Sequence, residues 1–179
     1  MHMATPYSGR LFSVQTLGYT DVAGQSITRE VVRHPGAVLI VPVVDEQTLV
    51  MIRNYRIAPN ETLWEFPAGK LEGGEEPLHA AHRELEEETG YRAGSMRKIC
   101  EFYTSPGFCD ELMRVFIARN LTVVGQRLEA GEEIAVERID LDDALAMVHD
   151  GRLRDGKSIA GLLMWHAARQ SAAAEAAAS

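Results

Sequence analysis

The sequence predicts an α/β sandwich, a mixed sheet held between helices, with a small β-hairpin appended at the N-terminus. Three observations carry this expectation. Apolar, β-branched runs such as GAVLIVPVV (36–44) read as buried strands. Segments with helical spacing and helix punctuation, Pro or Asp at the start and Gly at the end, are interspersed among them. Strands and helices do not alternate in regular βαβ units, so a doubly wound parallel sheet is not expected.

Residues 10–33 alternate loosely on either side of DVAGQ, whose turn chemistry predicts the hairpin. The run 36–44 is the first buried strand. DEQ turns the chain, and TLVMIRNYR (48–56) returns as the next. ETLWEFPAGKLEGGE is a short strand followed by a Pro/Gly-rich loop. A helix follows over roughly 76–89, with Pro77 in its first turn and Gly90 as its stop. Strands resume at MRKICEFYTS, LMRVFIARNL and within GEEIAVERIDL. Asp142 or Asp143 is expected to cap a helix reaching about residue 150. KSIAGLLMWHAARQ, apolar at helical spacing, forms the last helix. SAAAEAAAS is of low complexity and reads as a frayed helical extension or a disordered tail. The domain expectation is therefore an N-terminal hairpin segment over 1–34, a main domain over 35–171 and a flexible tail over 172–179.

The 179 residues suit one domain with a small appendage, with 46% hydrophobic and 25% charged residues in the ordinary globular balance. A net charge of -8 disfavours nucleic acid or an anionic membrane as partner, since both need a basic face. Two cysteines, Cys100 and Cys109, have neither metal-site spacing nor a disulfide framework, so a reduced, cytoplasmic setting is expected. No apolar run reaches membrane-span length, and the N-terminus lacks the apolar stretch of a secretory signal.

The helix over 76–89 concentrates Glu84, Glu86, Glu87 and Glu88 with a single arginine, Arg83, and no lysine. At 100° per residue, Leu78, Ala81 and Leu85 group as the expected core face. Glu84, Glu87 and Glu88 stand at i, i+3 and i+4 and converge on a neighbouring face, while Glu86 points away to solvent. Three carboxylates on one face repel one another unless they share a cation. An all-oxygen set selects a hard divalent ion, Mg²⁺ or Mn²⁺, which takes its remaining ligands from water and phosphate. An acidic solvated helix would be the ordinary reading of ELEEE alone.

The wider pattern overrides that reading. Gly69, five residues, Glu75, seven residues, Arg83-Glu84-Leu85, one residue, Glu87-Glu88, one residue, Gly90-Tyr91 resembles the complete signature of the Nudix hydrolase family. A chance match at its fixed polar and glycine positions is roughly a one-in-10⁸ event on average composition, which excludes coincidence. RNYRIAPNETLWEFPAGK before this segment and FYTSPGFCDELMRVFIA after it are similar to the ADP-ribose pyrophosphatase branch, with Pro106 sixteen residues beyond Gly90. The resemblance spans about residues 30–170.

The resemblance implies Mg²⁺-dependent hydrolysis (Mn²⁺ as a possible substitute) of ADP-ribose to AMP and ribose 5-phosphate. The alternative is another nucleoside diphosphate sugar such as GDP-mannose, and a ligand sensor that does not cleave is disfavoured by the full glutamate set. It implies Glu84, Glu87, Glu88 and the Ala68 carbonyl as metal ligands, with Arg83 orienting the carboxylates and Glu75 in support. Arg33, Arg56, Glu65, Pro106, Gly107, Phe108 and Glu111 become substrate-binding candidates, Glu111 toward a hydroxyl or an arginine. A loop glutamate within EAGEEIAVERI would be the base: Glu132 is favoured over Glu133, with Glu129 left open. Ile27-Thr28-Arg29 stands where the family often has a base-stacking aromatic, and Phe12 and Tyr19 read equally as hairpin packing or base platforms. His79 and His82 read as packing or surface groups. A homodimer is implied, with the hairpin exchanged or packed across the interface.

Overall fold

The computed structural model describes residues 3–177. Met1, His2, Ala178 and Ser179 lie outside the described residues, and with them the outer ends of the expected N-terminal segment and tail.

The N-terminal segment is a three-stranded antiparallel sheet of β1 (Met3–Ser8), β2 (Ser13–Thr20) and β3 (Ser26–Arg33). The expected hairpin is β2–β3. Its turn is held by Asp21 Oδ1, which accepts from the backbone N–H groups of Ala23 and Gln25 at 2.9 Å each. Strand β1 was not legible in the sequence because Pro6 interrupts any alternation. The pairing with β2 shifts register between Ala4 and Tyr7, which accommodates that proline.

The remainder of the chain contains two sheets. One is mixed, in the order β7 (Ala68–Lys70), β4 (Ala37–Pro42), β9 (Leu112–Val123), β8 (Tyr91–Tyr103), with β4 and β9 parallel. The other is antiparallel, in the order β10 (Ile134–Asp140), β5 (Thr48–Arg56), β6 (Glu61–Glu65). Strand β4 is buried on both faces. Ala37, Leu39 and Val41 face a core completed by Leu49, Met51, Phe66, Leu162 and Trp165. Val38 and Ile40 face a second core with Ala80, Ala81, Leu85 and Phe116. Helix α1 (Pro77–Thr89) covers the second face, and α2 (Leu141–Asp150) and α3 (Gly156–Ala177) close the first. Such burial on two sides explains why the strand reads as a continuous apolar run rather than an alternating one.

Three local expectations are corrected. Strand β7 lies inside the segment read as Pro/Gly loop, paired to β4 with Leu39 opposite Ala68 and Val38 opposite Gly69. Helix α2 is capped by Asp140, whose Oδ1 accepts from Asp142 N–H at 2.9 Å. Asp142 and Asp143 instead occupy its first turn, where the helix dipole favours them. Leu78 is 43% exposed, whereas Ala80, Ala81 and Leu85 are buried together with Glu88. Ala81 and Leu85 of the expected core face are thus buried, with Glu88 beside them in place of Leu78. Helix α3 carries helical backbone through Ala177. Among the described residues, no helix is long and apolar enough to cross a membrane.

Candidate active site

Helix α1 begins with Pro77 at its first position and ends at Gly90, which adopts φ 69° and donates its N–H to the Glu86 carbonyl at 3.0 Å. A side chain at Gly90 would press on the backbone of Gly125 and Gln126, so glycine is required there for conformation and for space. Strand β7 runs beside the carboxylate face of α1. A Cβ on Gly69 would collide with the Glu84 carboxylate, so glycine lets that carboxylate lie flat on the strand.

Arg83 is the hub of the cluster. Its Nε and Nη2 donate to the two Glu75 oxygens at 3.0 Å each, and its Nη1 donates to Glu84 Oε1 at 2.7 Å and Glu87 Oε2 at 3.1 Å. Nη2 also reaches the Lys70 carbonyl at 3.3 Å. The guanidinium beside it holds Glu75 below the usual carboxylate range. Glu84 is shifted the other way: burial raises it, against the lowering pull of Arg83, and the charges of Glu87 and Glu132 add to the rise. Glu88 is almost fully buried, its Oε2 accepting from the Ala68 N–H at 2.9 Å. Burial pushes its carboxyl up to about 8, with the Glu84 and Glu132 charges contributing and the Ala68 hydrogen bond opposing. Glu86 leaves this group, as its position on the helix requires. It does not stand free in solvent, being taken by Arg92 at 2.7 Å and Arg127 at 3.5 Å.

These groups line a cleft of about 460 Å³, a size typical of small-ligand sites. Ala68, Gly69, Arg83, Glu84, Glu87 and Glu88 form one wall. Arg56, Lys157, His34 and Glu111 contribute elsewhere, and Glu129 and Glu132 reach it from the loop before β10. That loop is tied to α1: Gln126 Nε2 donates to the Glu88 carbonyl at 2.7 Å and the Ile134 carbonyl at 3.3 Å, and Arg127 N–H donates to the Glu87 carbonyl at 3.0 Å.

Several of the other expected site residues fall outside the cleft lining. Glu65 is 1% exposed at the end of β6, behind the wall, where it accepts from Arg56 Nε at 2.8 Å, Arg56 Nη2 at 2.7 Å and Lys157 Nζ at 2.6 Å. Burial raises its pKa, but the two cations outweigh burial and the net shift is downward. Glu133 is exposed and engages through its carbonyl, which accepts from Tyr55 N–H at 3.4 Å. Glu111 lines the cleft, where Thr104 Oγ1 donates to it at 2.6 Å and His34 Nδ1 lies 3.7 Å away; among the described residues it pairs with no arginine. Arg33 bonds Gln15 and Asp110 at 2.8 Å each. With Pro106, Gly107 and Phe108 it lines a neighbouring groove that also holds Tyr103 and Cys109. There the backbone of Val32 takes the Phe108 carbonyl at 2.7 Å, docking β3 on the SPGF loop. Phe12 packs on Tyr7 with ring centroids 5.5 Å apart. Lys157, His34 and Gln126 were missed by sequence reasoning, since their partners lie far away along the chain.

Among the described residues, no three His, Cys, Asp or Glu side chains converge as a ready-made metal cage. The donor set nevertheless fits a hard cation. Glu84, Glu87 and Glu88 all line the cleft, each with one carboxylate oxygen engaged as described, and Mg²⁺ uses one or two carboxylates plus substrate phosphates rather than a closed protein cage.

Comparison with known proteins agrees with this architecture. An ADP-ribose pyrophosphatase of Bacillus subtilis (strain 168) is 43% identical over 154 residues, covering 85% of this chain and 83% of that protein. A GDP-mannose pyrophosphatase of Citrobacter koseri is 40% identical over 138 residues, 71% of each chain. The crystal structure of an ADP compounds hydrolase superposes with a TM-score of 0.84 over 96% of this chain and 93% of that one, at 23% identity, a likeness of fold. The NUDIX domain profile matches residues 33–162, the span that carries the glutamate helix, Arg56 and the loop glutamates, and the chain belongs to the Nudix family.

Proposed function

We propose that this protein hydrolyses the diphosphate linkage of ADP-ribose with the help of Mg²⁺, giving AMP and ribose 5-phosphate. The observation that carries the reading is the joining, in one cleft, of the Arg83-ordered glutamates of α1, the cation Arg56 and Glu132 of a separate loop. The similarity to the Bacillus subtilis ADP-ribose pyrophosphatase supports the substrate. Glu84, Glu87, Glu88 and the Ala68 carbonyl would hold the divalent ion, Mn²⁺ being the natural substitute. When bound, the ion neutralises phosphate oxygens and makes water a better nucleophile. Arg83 keeps Glu84 and Glu87 turned toward the cleft. Arg56 binds the diphosphate, held in place by Glu65. Glu132 accepts the proton of the attacking water. Its place in the cleft and the repulsion it exerts on Glu84 and Glu88 favour it over the exposed Glu133. The groove of Arg33, Pro106, Gly107 and Phe108 would receive an outer part of the substrate.

A homodimer is part of the same reading. Tyr7, Leu11, Phe12 and Tyr19 expose apolar surface on the N-terminal sheet, which a second copy would cover. The free thiols of Cys100 and Cys109 support a cytoplasmic setting.

The resemblance to the Citrobacter koseri enzyme favours GDP-mannose as the second reading. Hydrolysis of ADP-ribose and GDP-mannose in one assay with Mg²⁺, with Glu88→Gln as control, tests both. Faster cleavage of ADP-ribose, lost in the variant, is expected. Faster cleavage of GDP-mannose moves the specificity, and tight binding of ADP-ribose without cleavage removes the enzymatic reading for these substrates.

A further inference from the structure

We propose that an arginine-lined cavity beneath the C-terminal half of α3 binds the phosphate group of a small organic phosphate, at a site separate from the catalytic cleft. The inference goes beyond the function proposed above and does not rest on it.

The cavity, about 360 Å³, lies between α3 and the strands β8 and β9. The charged members of its lining are Arg97, Arg119 and Arg169, and no carboxylate of the described residues joins them there. In a chain of net charge -8, that is a local reversal of sign. Most of the remaining lining is apolar, with Ile99, Ile117 and Trp165 prominent. Apolar walls with a few convergent polar groups are the usual make-up of a small-ligand site. The place is remote from the cleft. From Lys157, which lines the cleft, to Arg169 the helix rises about 18 Å along its axis.

The sequence explains how the three cations meet. Ile117 and Trp165 belong to one core. The next residue on the same face of β9, two positions on, is Arg119, and the next turn of α3, four positions on, brings Arg169. Both elements therefore turn cationic where the core ends. Arg97 comes from β8, where it stands opposite Ile117 in the ladder, with Ser95 opposite Arg119.

Two of the arginines are held ready. Glu46 Oε1 accepts from Arg119 Nη1 at 3.1 Å, and Glu46 Oε2 lies 2.9 Å from Arg169 Nη2. Glu46 lines the neighbouring cavity and not this one. Each guanidinium is thus fixed through one nitrogen and keeps other N–H donors. Arg169 also lies over the Trp165 ring, 4.9 Å from its centroid. Its Nη1 is buried with no hydrogen-bond partner among the described residues, so a donor there lacks an acceptor. Cations fixed before the ligand arrives lower the ordering cost of binding.

Charge and shape select the ligand. Three guanidiniums exceed what one carboxylate needs and suit a phosphate monoester, which carries roughly -1.5 to -2 at neutral pH. The guanidinium fork matches phosphate oxygens. The apolar walls favour a phosphate with an organic body over the free ion. A purely structural role would use the arginines to join the turn at Glu46 to β9 and α3. Arg97 stands outside that network, and the structural role leaves its place in the lining without a cause.

The test uses the full-length protein without divalent ion, so that the carboxylates of α1 repel phosphates from the catalytic cleft. The probes are AMP, phenyl phosphate, adenosine and inorganic phosphate, followed by calorimetry and by the indole N–H resonances of Trp64 and Trp165. Both monoesters are expected to bind and to shift the Trp165 resonance while that of Trp64 stays in place. Adenosine does not bind, and inorganic phosphate binds at least about tenfold more weakly. Arg97→Gln and Arg119→Gln each weaken the monoesters about ten- to hundredfold, the loss of a charge-assisted hydrogen bond, and Arg97→Lys recovers part of it. Both variants unfold near the wild-type temperature, because an exposed pair with Glu46 contributes little. The assignment is overturned if neither monoester binds, if the Trp165 resonance does not move, or if adenosine or inorganic phosphate binds as tightly as the monoesters. Monoester affinity that is unchanged in Arg97→Gln also overturns it, because the arginines would then serve the Glu46 network alone.

Discussion

At Glu88, a carboxylate has been placed where burial opposes its charge, with a pKa raised from its ordinary 4.5 to about 8. The native state therefore binds more protons than the unfolded state between those values. Stability of the metal-free protein should fall as pH rises from about 5 to 8, and no further above that. Thermal unfolding at stepped pH checks this. Glu88→Gln should flatten the decline, and Mg²⁺ should restore stability at pH 8 by compensating the charge. Gly69 makes a second prediction at this scale. Gly69→Ala places a methyl group against the Glu84 carboxylate. The displaced glutamate should lower kcat at least about a hundredfold, and the overpacking should cost about 1–3 kcal/mol in denaturant unfolding. Arg83 serves three glutamates, so its loss should leave their mutual repulsion unopposed.

At the scale of elements, α1 and the loop before β10 behave as one unit, because Gln126 joins the Glu88 and Ile134 carbonyls. Gln126→Ala should release the loop carrying Glu132. The expected outcome is a kcat about tenfold lower, with faster backbone hydrogen exchange over 127–133 and little change in the affinity for Mg²⁺. Near-normal kcat in that variant would mean that the loop is positioned by other contacts. In α2, Asp140→Ala removes the hydrogen bond to Asp142 and should cost about 1 kcal/mol without touching activity, read by denaturant unfolding. Helix α1 also shows why a wheel drawn from hydrophobicity places Ala81 and Leu85 correctly but not Leu78 and Glu88. A hydrophobic wheel assumes that carboxylates seek water, whereas here β7 and Arg83 draw Glu84 and Glu88 inward.

At the scale of the molecule, an N-terminal sheet lies beside a two-sheet sandwich and is docked through Val32 and Phe108. The exposed apolar side chains of that sheet predict self-association: sedimentation should give twice the 19.8 kDa chain mass. A monomer at micromolar concentration would remove the homodimer from the proposal.

By itself the sequence determined the sandwich class, the hairpin of β2 and β3, the extent of α1 and the family. These follow from local chemistry: apolar runs, turn residues, Pro and Gly at helix ends, and a glutamate pattern spaced along one helix. Only the tertiary structure decided that Glu88 and not Leu78 joins the buried face of α1, that β7 exists, that Glu65 stands behind the cleft, and that Lys157 enters it. Strand β7 is three residues long and is a strand only because β4 lies beside it. Glu65 and Lys157 are 92 residues apart, and no local propensity encodes a contact that forms when the end of one strand meets the start of the last helix.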